Sequence, residues 1–477
     1  MIKEQNLTML TDFYEITMAN GYLESGLQDN IAYFDMFFRR VPDQGGYAIM
    51  AGLEQLINYM KDLKFTEEDI EFLRSKKTFS EAFLNYLKDF KFSCDVWSVP
   101  EGTPIFPHEP ILTVRGPVIQ AQFVATMVLL TINHQSLIAT KASRICRAAQ
   151  GRAVMEFGSR RAHGASAANY GARAAYIGGC VGTACTITDR DYHIPALGTM
   201  AHSWVQMFPT EYDAFKKYAE IYPDNCTLLV DTFNVLKSGV PNAIRIFKEM
   251  KPKKMGIRID SGDIAYLTKR ARKMLDEAGL EDCKITISNS LDEYLIRDVI
   301  MEGAQIDSFG VGERLITAKS EPVFGGVYKL AALEVDGKII PKIKISENVE
   351  KITNPGFKTL YRLYDNESGK AQADVMTLDG EEIESGKDYE IFDPNAIWKK
   401  KTLSDFTAVN LRKPIFLKGE LVYDCPSIQE IKEYCKDQME TLWEETLRFE
   451  NPQTYYVDLS QNLWDVKHRL IEEHNQK

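Results

Sequence analysis

TLLVD (227–231), MGIRID (255–260), KITISN (284–289) and IDSFG (306–310) decide the architecture of this chain. Each is a short apolar or β-branched run that ends on a polar residue or a glycine. Their last residues lie 29, 29 and 21 apart (260 − 231, 289 − 260 and 310 − 289), about the length of one strand–helix unit. The stretches between them carry the helical period. In IAYLTKRARKMLDEAG, Ile264, Leu267, Ala271, Met274, Leu275 and Ala278 share one face and Gly279 supplies the stop. In LDEYLIRDVIMEG, Leu291, Leu295, Ile296 and Val299 do the same, with Gly303 as the stop. Strands alternating with helices at this spacing form right-handed βαβ units and a parallel sheet. Upstream, AVMEF (153–157) and PALGTM (195–200) read as further strands. Residues 140–335 are therefore predicted to be an α/β barrel of the (β/α)₈ type or an irregular relative, with an open doubly wound sheet as the alternative.

The flanks read differently. Residues 1–139 mix helices with short strands such as AYFDMFFRR, and 336–420 are rich in strands and turns, as in KTLYRLYD. The two are predicted to join into an N-terminal α/β domain. Residues 421–477 are predicted to be a helical layer, opened by the capping box Ser427–Glu430. The composition, 44% apolar and 26% charged, is that of a globular chain. A net charge of −11 argues against generic binding of nucleic acid or an anionic membrane. The eight cysteines form no C-x-x-C pair and are expected to be reduced and mostly buried. No basic segment leading into an apolar run opens MIKEQNLTMLTDFYE, so a cytoplasmic protein is expected. The stretch 116–140 lacks Asp, Glu, Lys and Arg, but Gln120, Gln122, Asn133, His134 and Gln135 mark it as a core helix rather than a membrane span.

In a parallel barrel the chemistry sits where the strands end. Here those ends carry GSRRAHG (158–164), AHSW (201–204), Asp231, Asp260 with SGD, Ser288–Asn289 and GVGER (310–314). One Asp or Ser after a strand is usually a helix cap, but capping does not explain cations, carboxylates, a histidine and glycines at every end. Asp231 and Asp260, on neighbouring strands, suit ribose hydroxyls or a Mg²⁺ held by phosphates. Arg160, Arg161 and Arg258 suit carboxylate or phosphate oxygens. Gly310 and Gly312 can present backbone N–H groups to a phosphate. The pattern calls for a phosphorylated sugar and a small anionic partner.

Nine motifs, in order, carry a resemblance: TDFYEITMANGY (11–22), FFRRVPDQGGYAIMAGLE (37–54), EFGSRRAHG (156–164), GTMAHSW (198–204), VDTFNVLKSG (230–239), RIDSGD (258–263), SNSLDE (288–293), GVGERL (310–315) and GGVYKL (325–330). Together they resemble the nicotinate phosphoribosyltransferase family. The resemblance implies an irregular barrel of the type II phosphoribosyltransferase kind with a mixed α/β N-terminal domain, and usually a dimer with the site at its interface. It implies condensation of nicotinate with phosphoribosyl pyrophosphate (PRPP) to nicotinate mononucleotide and pyrophosphate, driven by ATP and aided by Mg²⁺ held mainly through pyrophosphate. Phe157 and the other subunit's Tyr14 would sandwich the pyridine, with Arg160, Ser203 and Arg258 around nicotinate. Arg161, Ser288, Asn289, Gly310, Gly312 and Lys329 would hold phosphates. Asp231 and Asp260 would serve the ribose and Mg-pyrophosphate, and His202 would be phosphorylated by ATP. Relatives that use nicotinamide carry an acid where Ala184 stands, so nicotinate is favoured. A quinolinate enzyme would be shorter and lack GTMAHSW. A silent binding protein on the same barrel would have lost some of these groups.

Overall fold

The computed structural model describes residues 6–475; Met1–Gln5 of the N-terminal stretch lie outside the described residues. The chain divides into two compact units, one made of Met1–Leu137 with Val323–Lys477 and the other of Ile138–Pro322.

The second unit holds the parallel sheet. Its strands are β1 (Ala153–Glu156), β2 (Gly182–Thr183), β3 (Cys226–Leu229), β4 (Met255–Ile259), β5 (Lys284–Ser288) and β6 (Ser308–Val311), in the spatial order β2-β1-β6-β5-β4-β3. Every pairing is parallel. No pairing joins β2 to β3 among the described residues, so the barrel is a curled, incomplete one, the irregular form expected above. Ile257, Ile285, Ile287, Phe309 and Val311 are buried, as strands covered on both faces require. The helix Ile264–Glu277 starts where Asp263 accepts from the Tyr266 N–H at 2.7 Å, and Gly279 at φ 75° ends it.

PALGTM is not a strand. Its segment makes one isolated bridge, Thr183 to Ala196, and otherwise runs as a loop toward the short helix His202–Gln206. Pro195 has no N–H to give a ladder, and Gly198 weakens an extended run.

The first unit is built on a seven-stranded antiparallel sheet. Its order is Lys338–Pro341, Gly326–Val335, Ile31–Phe38, Leu112–Pro117, Asp95–Ser98, Lys413–Leu417 and Glu420–Leu421. Gly326–Val335, placed in the barrel by the sequence reading, thus belongs here, as the neighbour of Ile31–Phe38. Its alternating pattern satisfies either sheet, and only the pairing decides. Residues 421–477 also lie in this unit and are not helical throughout. Besides the helices Ile428–Glu440 and Gln461–Asn475, the strand Val457–Leu459 pairs in parallel with Ala371–Leu378. The capping box at Ser427 and Glu430 is present. The apolar run 118–148 forms helices Val118–Phe123 and Ala125–Ala148, most of it buried. No disulfide joins the described cysteines, of which Cys425 is exposed.

Three chain segments of the first unit meet at one buried ion pair. Arg362 and Asp374, both without solvent exposure, bond in a fork: Nε to Oδ1 at 2.8 Å and Nη2 to Oδ2 at 2.6 Å. Arg362 also donates to the Pro104 carbonyl at 2.8 Å, and the Tyr455 hydroxyl donates to Asp374 at 2.9 Å. Asp374→Ala leaves a dry, unpaired guanidinium and should cost about 3–5 kcal/mol. It would be read as a lower urea midpoint at unchanged slope. Replacing both residues by Met and Leu should cost less, because the guanidinium and the carboxylate that neutralises it leave together.

Candidate active site

A cavity of about 570 Å³ opens in the second unit at the C-terminal ends of the parallel strands. That volume lies within the range of small-molecule sites. Phe157, Arg160, Arg161, His202, Arg258, Asp260, Ser288, Asn289, Gly310 and Gly312 line it, as does Ala184. Asp231 and Ser203 are not among the lining residues, and Tyr14 and Lys329 belong to the first unit.

Arg258, at the end of β4, is committed to its neighbours. Its Nε donates to Ser288 Oγ at 2.9 Å, Nη1 to Thr199 Oγ1 at 3.1 Å and the Met200 carbonyl at 3.2 Å, and Nη2 to Asp260 Oδ1 at 3.0 Å. The guanidinium thus pins the loop before His202 to strands β4 and β5. It also lies over the Phe157 ring, 5.9 Å from the centroid. Asp260 accepts from Ser288 and from Arg258. Burial pushes its carboxyl up, but those two hydrogen bonds and the Arg258 charge outweigh burial and hold it below the ordinary carboxylate value.

His202 reaches into this group. Its Nδ1 lies 3.1 Å from Thr232 Oγ1, and its Nε2 lies 3.9 Å from Asp260 Oδ2. Asp231 works from behind. One of its oxygens accepts from the Asp260 N–H at 3.1 Å and from Ser261 Oγ at 2.6 Å, while the buried Oδ1 has no partner. It holds the turn after β4.

The glycine at 310 has a packing reason. A Cβ there would stand 2.4 Å from the Phe157 ring, so only glycine lets the ring lie on β6. At the end of β5, Asn289 and Ser290 hold φ values of 99° and 51°, a strained pair at the cavity edge. Arg314 and Lys319 add two cations that sequence reasoning missed; Arg314 pairs with Asp292, and Lys319 with Glu313 at 2.7 Å. Arg160 and Arg161 make no ion pair among the described residues. Among the residues that line the cavity, the five cations Arg160, Arg161, Arg258, Arg314 and Lys319 stand against two acids, Asp260 and Glu313, so the lining is positive in a chain of net charge −11. Such a pocket takes a polyanion beside an aromatic platform. Thr232 and Ser261 follow the strand-end aspartates and bond to His202 and Asp231, while Thr199, a partner of Arg258, had no signal beyond its place in GTMAHSW.

In the first unit, Lys329 is half-buried. Burial lowers its pKa, and so do the neighbouring charges of Lys344 and Arg39. None of the three has a carboxylate partner among the described residues.

Comparison with known proteins places the whole chain. The N-terminal domain profile of nicotinate phosphoribosyltransferase (NAPRTase) matches residues 9–133, the NAPRTase family profile 152–368, and the C-terminal domain profile 357–467. The nicotinate phosphoribosyltransferase of Bacillus subtilis is 45% identical over 473 residues, which cover 99% of this chain and 96% of that protein. The crystal structure of the human nicotinic acid phosphoribosyltransferase matches with a TM-score of 0.85 at 27% identity, over 97% of this chain and 100% of the other. A nicotinate-nucleotide pyrophosphorylase from Pyrococcus furiosus, 24% identical with a TM-score of 0.71 over 91% and 96%, shares the fold. With near end-to-end similarity in sequence and a positive strand-end pocket around Phe157 and Asp260, the chain belongs to the nicotinate phosphoribosyltransferase family.

Proposed function

We propose that this chain is a cytoplasmic, ATP-coupled nicotinate phosphoribosyltransferase that works as a homodimer with shared sites. It joins nicotinate to PRPP and releases pyrophosphate, forming nicotinate mononucleotide for NAD biosynthesis. The observation that carries the reading is the cavity itself, where five Arg and Lys side chains surround Phe157 and Asp260. The cations hold the phosphates. Phe157 offers its face to the pyridine, and stacking orients the ring nitrogen toward the ribose C1. As pyrophosphate leaves, C1 becomes oxocarbenium-like, and on this reading the Asp260 carboxylate, held below its ordinary pKa, stabilises it. Ala184 gives a carboxamide no acid to donate to, which favours nicotinate over nicotinamide.

Mg²⁺ fits without a protein cage. No group of three His, Cys, Asp or Glu able to hold a metal occurs among the described residues. The Asp260 carboxylate, which lines the cavity, would share an ion held mainly by pyrophosphate, with Asp231 fixing the turn behind it. When bound, the ion would neutralise charge on the leaving pyrophosphate. The decisive assay is pyrophosphate release from PRPP with nicotinate, nicotinamide or quinolinate. Equal kcat/KM for the first two would refute nicotinate selectivity, and no turnover would refute the enzyme reading.

The first unit supports a shared site. Tyr14 is 56% exposed on the helix Phe13–Glu24, in the motif TDFYE. Arg39, Lys329 and Lys344, which have no carboxylate partner among the described residues, are a second surface suited to phosphate. On this reading one subunit's cavity takes the partner's Tyr14. Mixing Tyr14→Ala with His202→Ala chains should recover activity, because a hybrid dimer keeps one intact site. Mixtures that never exceed the better parent would show that the sites are not shared.

A further inference from the structure

Glu156 ends β1, one residue before Phe157, and is fully buried. Its partners are both neutral. The Thr183 hydroxyl donates to Oε2 at 2.6 Å, and the Gly158 N–H donates to Oε1. No cation pairs with it among the described residues. Burial pushes its carboxyl up, against the pull of those two hydrogen bonds. A dry acid without a counter-ion is costly to keep, and the mechanism above does not use it.

The two hydrogen bonds explain why an acid stands there. Thr183 Oγ1 accepts from the Cys185 N–H at 2.9 Å, so its single proton goes to Glu156. Gly158 offers a backbone N–H, which can only donate. Two donors face one side chain, and only a carboxylate accepts from both. A glutamine would turn its NH₂ toward one of them. Thr183 is itself a junction: its N–H donates to the Pro195 carbonyl at 3.0 Å, and its carbonyl accepts from Leu197 N–H at 2.7 Å. The chain from Leu197 to His202 then lines the cavity, as do Phe157 and Ala184. One carboxylate therefore joins the turn that carries Phe157, the turn that carries Ala184 and, through Thr183, the wall that leads to His202.

We propose that Glu156 is the positioning residue of the pyridine subsite, its two oxygens setting the spacing between Phe157 and Ala184 that admits a ring bearing a carboxylate. This rests on the reading of Phe157 as the pyridine platform. It adds a selectivity element that never touches substrate and acts through Thr183 and Gly158.

Steady-state kinetics on Glu156→Gln, Thr183→Val, the double variant and Phe157→Ala test it, with nicotinate and PRPP varied separately. Losing a hydrogen bond to a charged group corresponds to about a tenfold effect or more. Glu156→Gln is expected to raise the nicotinate KM about tenfold, to leave the PRPP KM within about twofold, and to narrow the nicotinate-to-nicotinamide ratio. Thr183→Val should do the same, and the double variant should be no worse than either single one, because both break one connection. Thr183→Val keeps the carboxyl, so it carries the test even if Glu156→Gln does not fold. A nicotinate KM unmoved in both single variants, or both KM values rising together with a fall in Tm, would overturn the proposal. Phe157→Ala separates the two readings. If it raises the nicotinate KM while the Glu156 and Thr183 variants do not, only the positioning role falls. If it leaves that KM unchanged, the platform falls, and the positioning role with it.

Discussion

Asp260→Asn is expected to lower kcat/KM by about a thousandfold, about 4 kcal/mol of transition-state stabilisation, with little loss of fold. The carboxylate accepts from Ser288 and Arg258 and lies 3.9 Å from His202 Nε2, so it is the anion that faces both the histidine and the Arg258 guanidinium. Its charge matters when positive charge develops at the ribose C1, which no neutral amide replaces. The amide side chain would keep the size and one acceptor, so circular dichroism and Tm should change little while turnover collapses. A variant that keeps a tenth of wild-type kcat/KM would remove Asp260 from the chemistry. Its pKa adds a second check. The carboxyl is held below its ordinary value, so it stays charged as pH falls through the usual carboxylate range. The stability from its native contacts is present above the unfolded-state value and is lost as pH falls through the lowered native one. An acid limb of kcat/KM near neutral pH must then belong to another group.

His202→Ala is expected to abolish ATP hydrolysis and the stimulation by ATP while leaving a slow ATP-independent synthesis. Nδ1 is engaged by Thr232 Oγ1 at 3.1 Å. With the proton on Nδ1, Nε2 keeps its lone pair toward Asp260 and the cavity. Imidazole is nucleophilic near neutral pH. A phosphoryl group on it adds about 1.5–2 negative charges, by analogy with phosphoserine. That charge would stand beside Asp260 and among the Arg side chains that line the cavity, so it would change how tightly PRPP and pyrophosphate bind. Label from the γ-phosphate should appear on the wild-type protein in an acid-labile, base-stable form and not on the variant. A variant that still hydrolyses ATP in step with nucleotide formation would end this reading. Thr232→Val should weaken phosphorylation without removing it, because the histidine then loses its orienting partner.

Much of this site was legible in the sequence because a parallel strand–helix repeat leaves a local record. The periodicities of 2 and 3.6, the stop at Gly279 and the spacing of 29 residues are set by neighbours in the chain, and they place β3 to β6 at their observed positions. Once the strands are known, the rule that active sites lie at their C-terminal ends brings Phe157, Arg258, Asp260, Ser288 and Gly310 together, whereas His202 arrives on a loop that follows no strand. What a side chain bonds to is a different matter, because hydrogen-bond partners here are often tens of residues away in the chain. Arg258 reads as a free cation, yet Thr199, Met200, Ser288 and Asp260 take up its donors. Asp231 reads as the twin of Asp260, yet it supports the turn behind it. PALGTM reads as a strand, but a proline and a glycine leave it a loop that Thr183 and Arg258 hold in place. Gly326–Val335 fits either sheet by pattern and was decided by its pairing with Ile31–Phe38. Glu156, lost in sequence among the letters of a strand, acquires meaning only when Thr183, 27 residues on, turns its hydroxyl toward it.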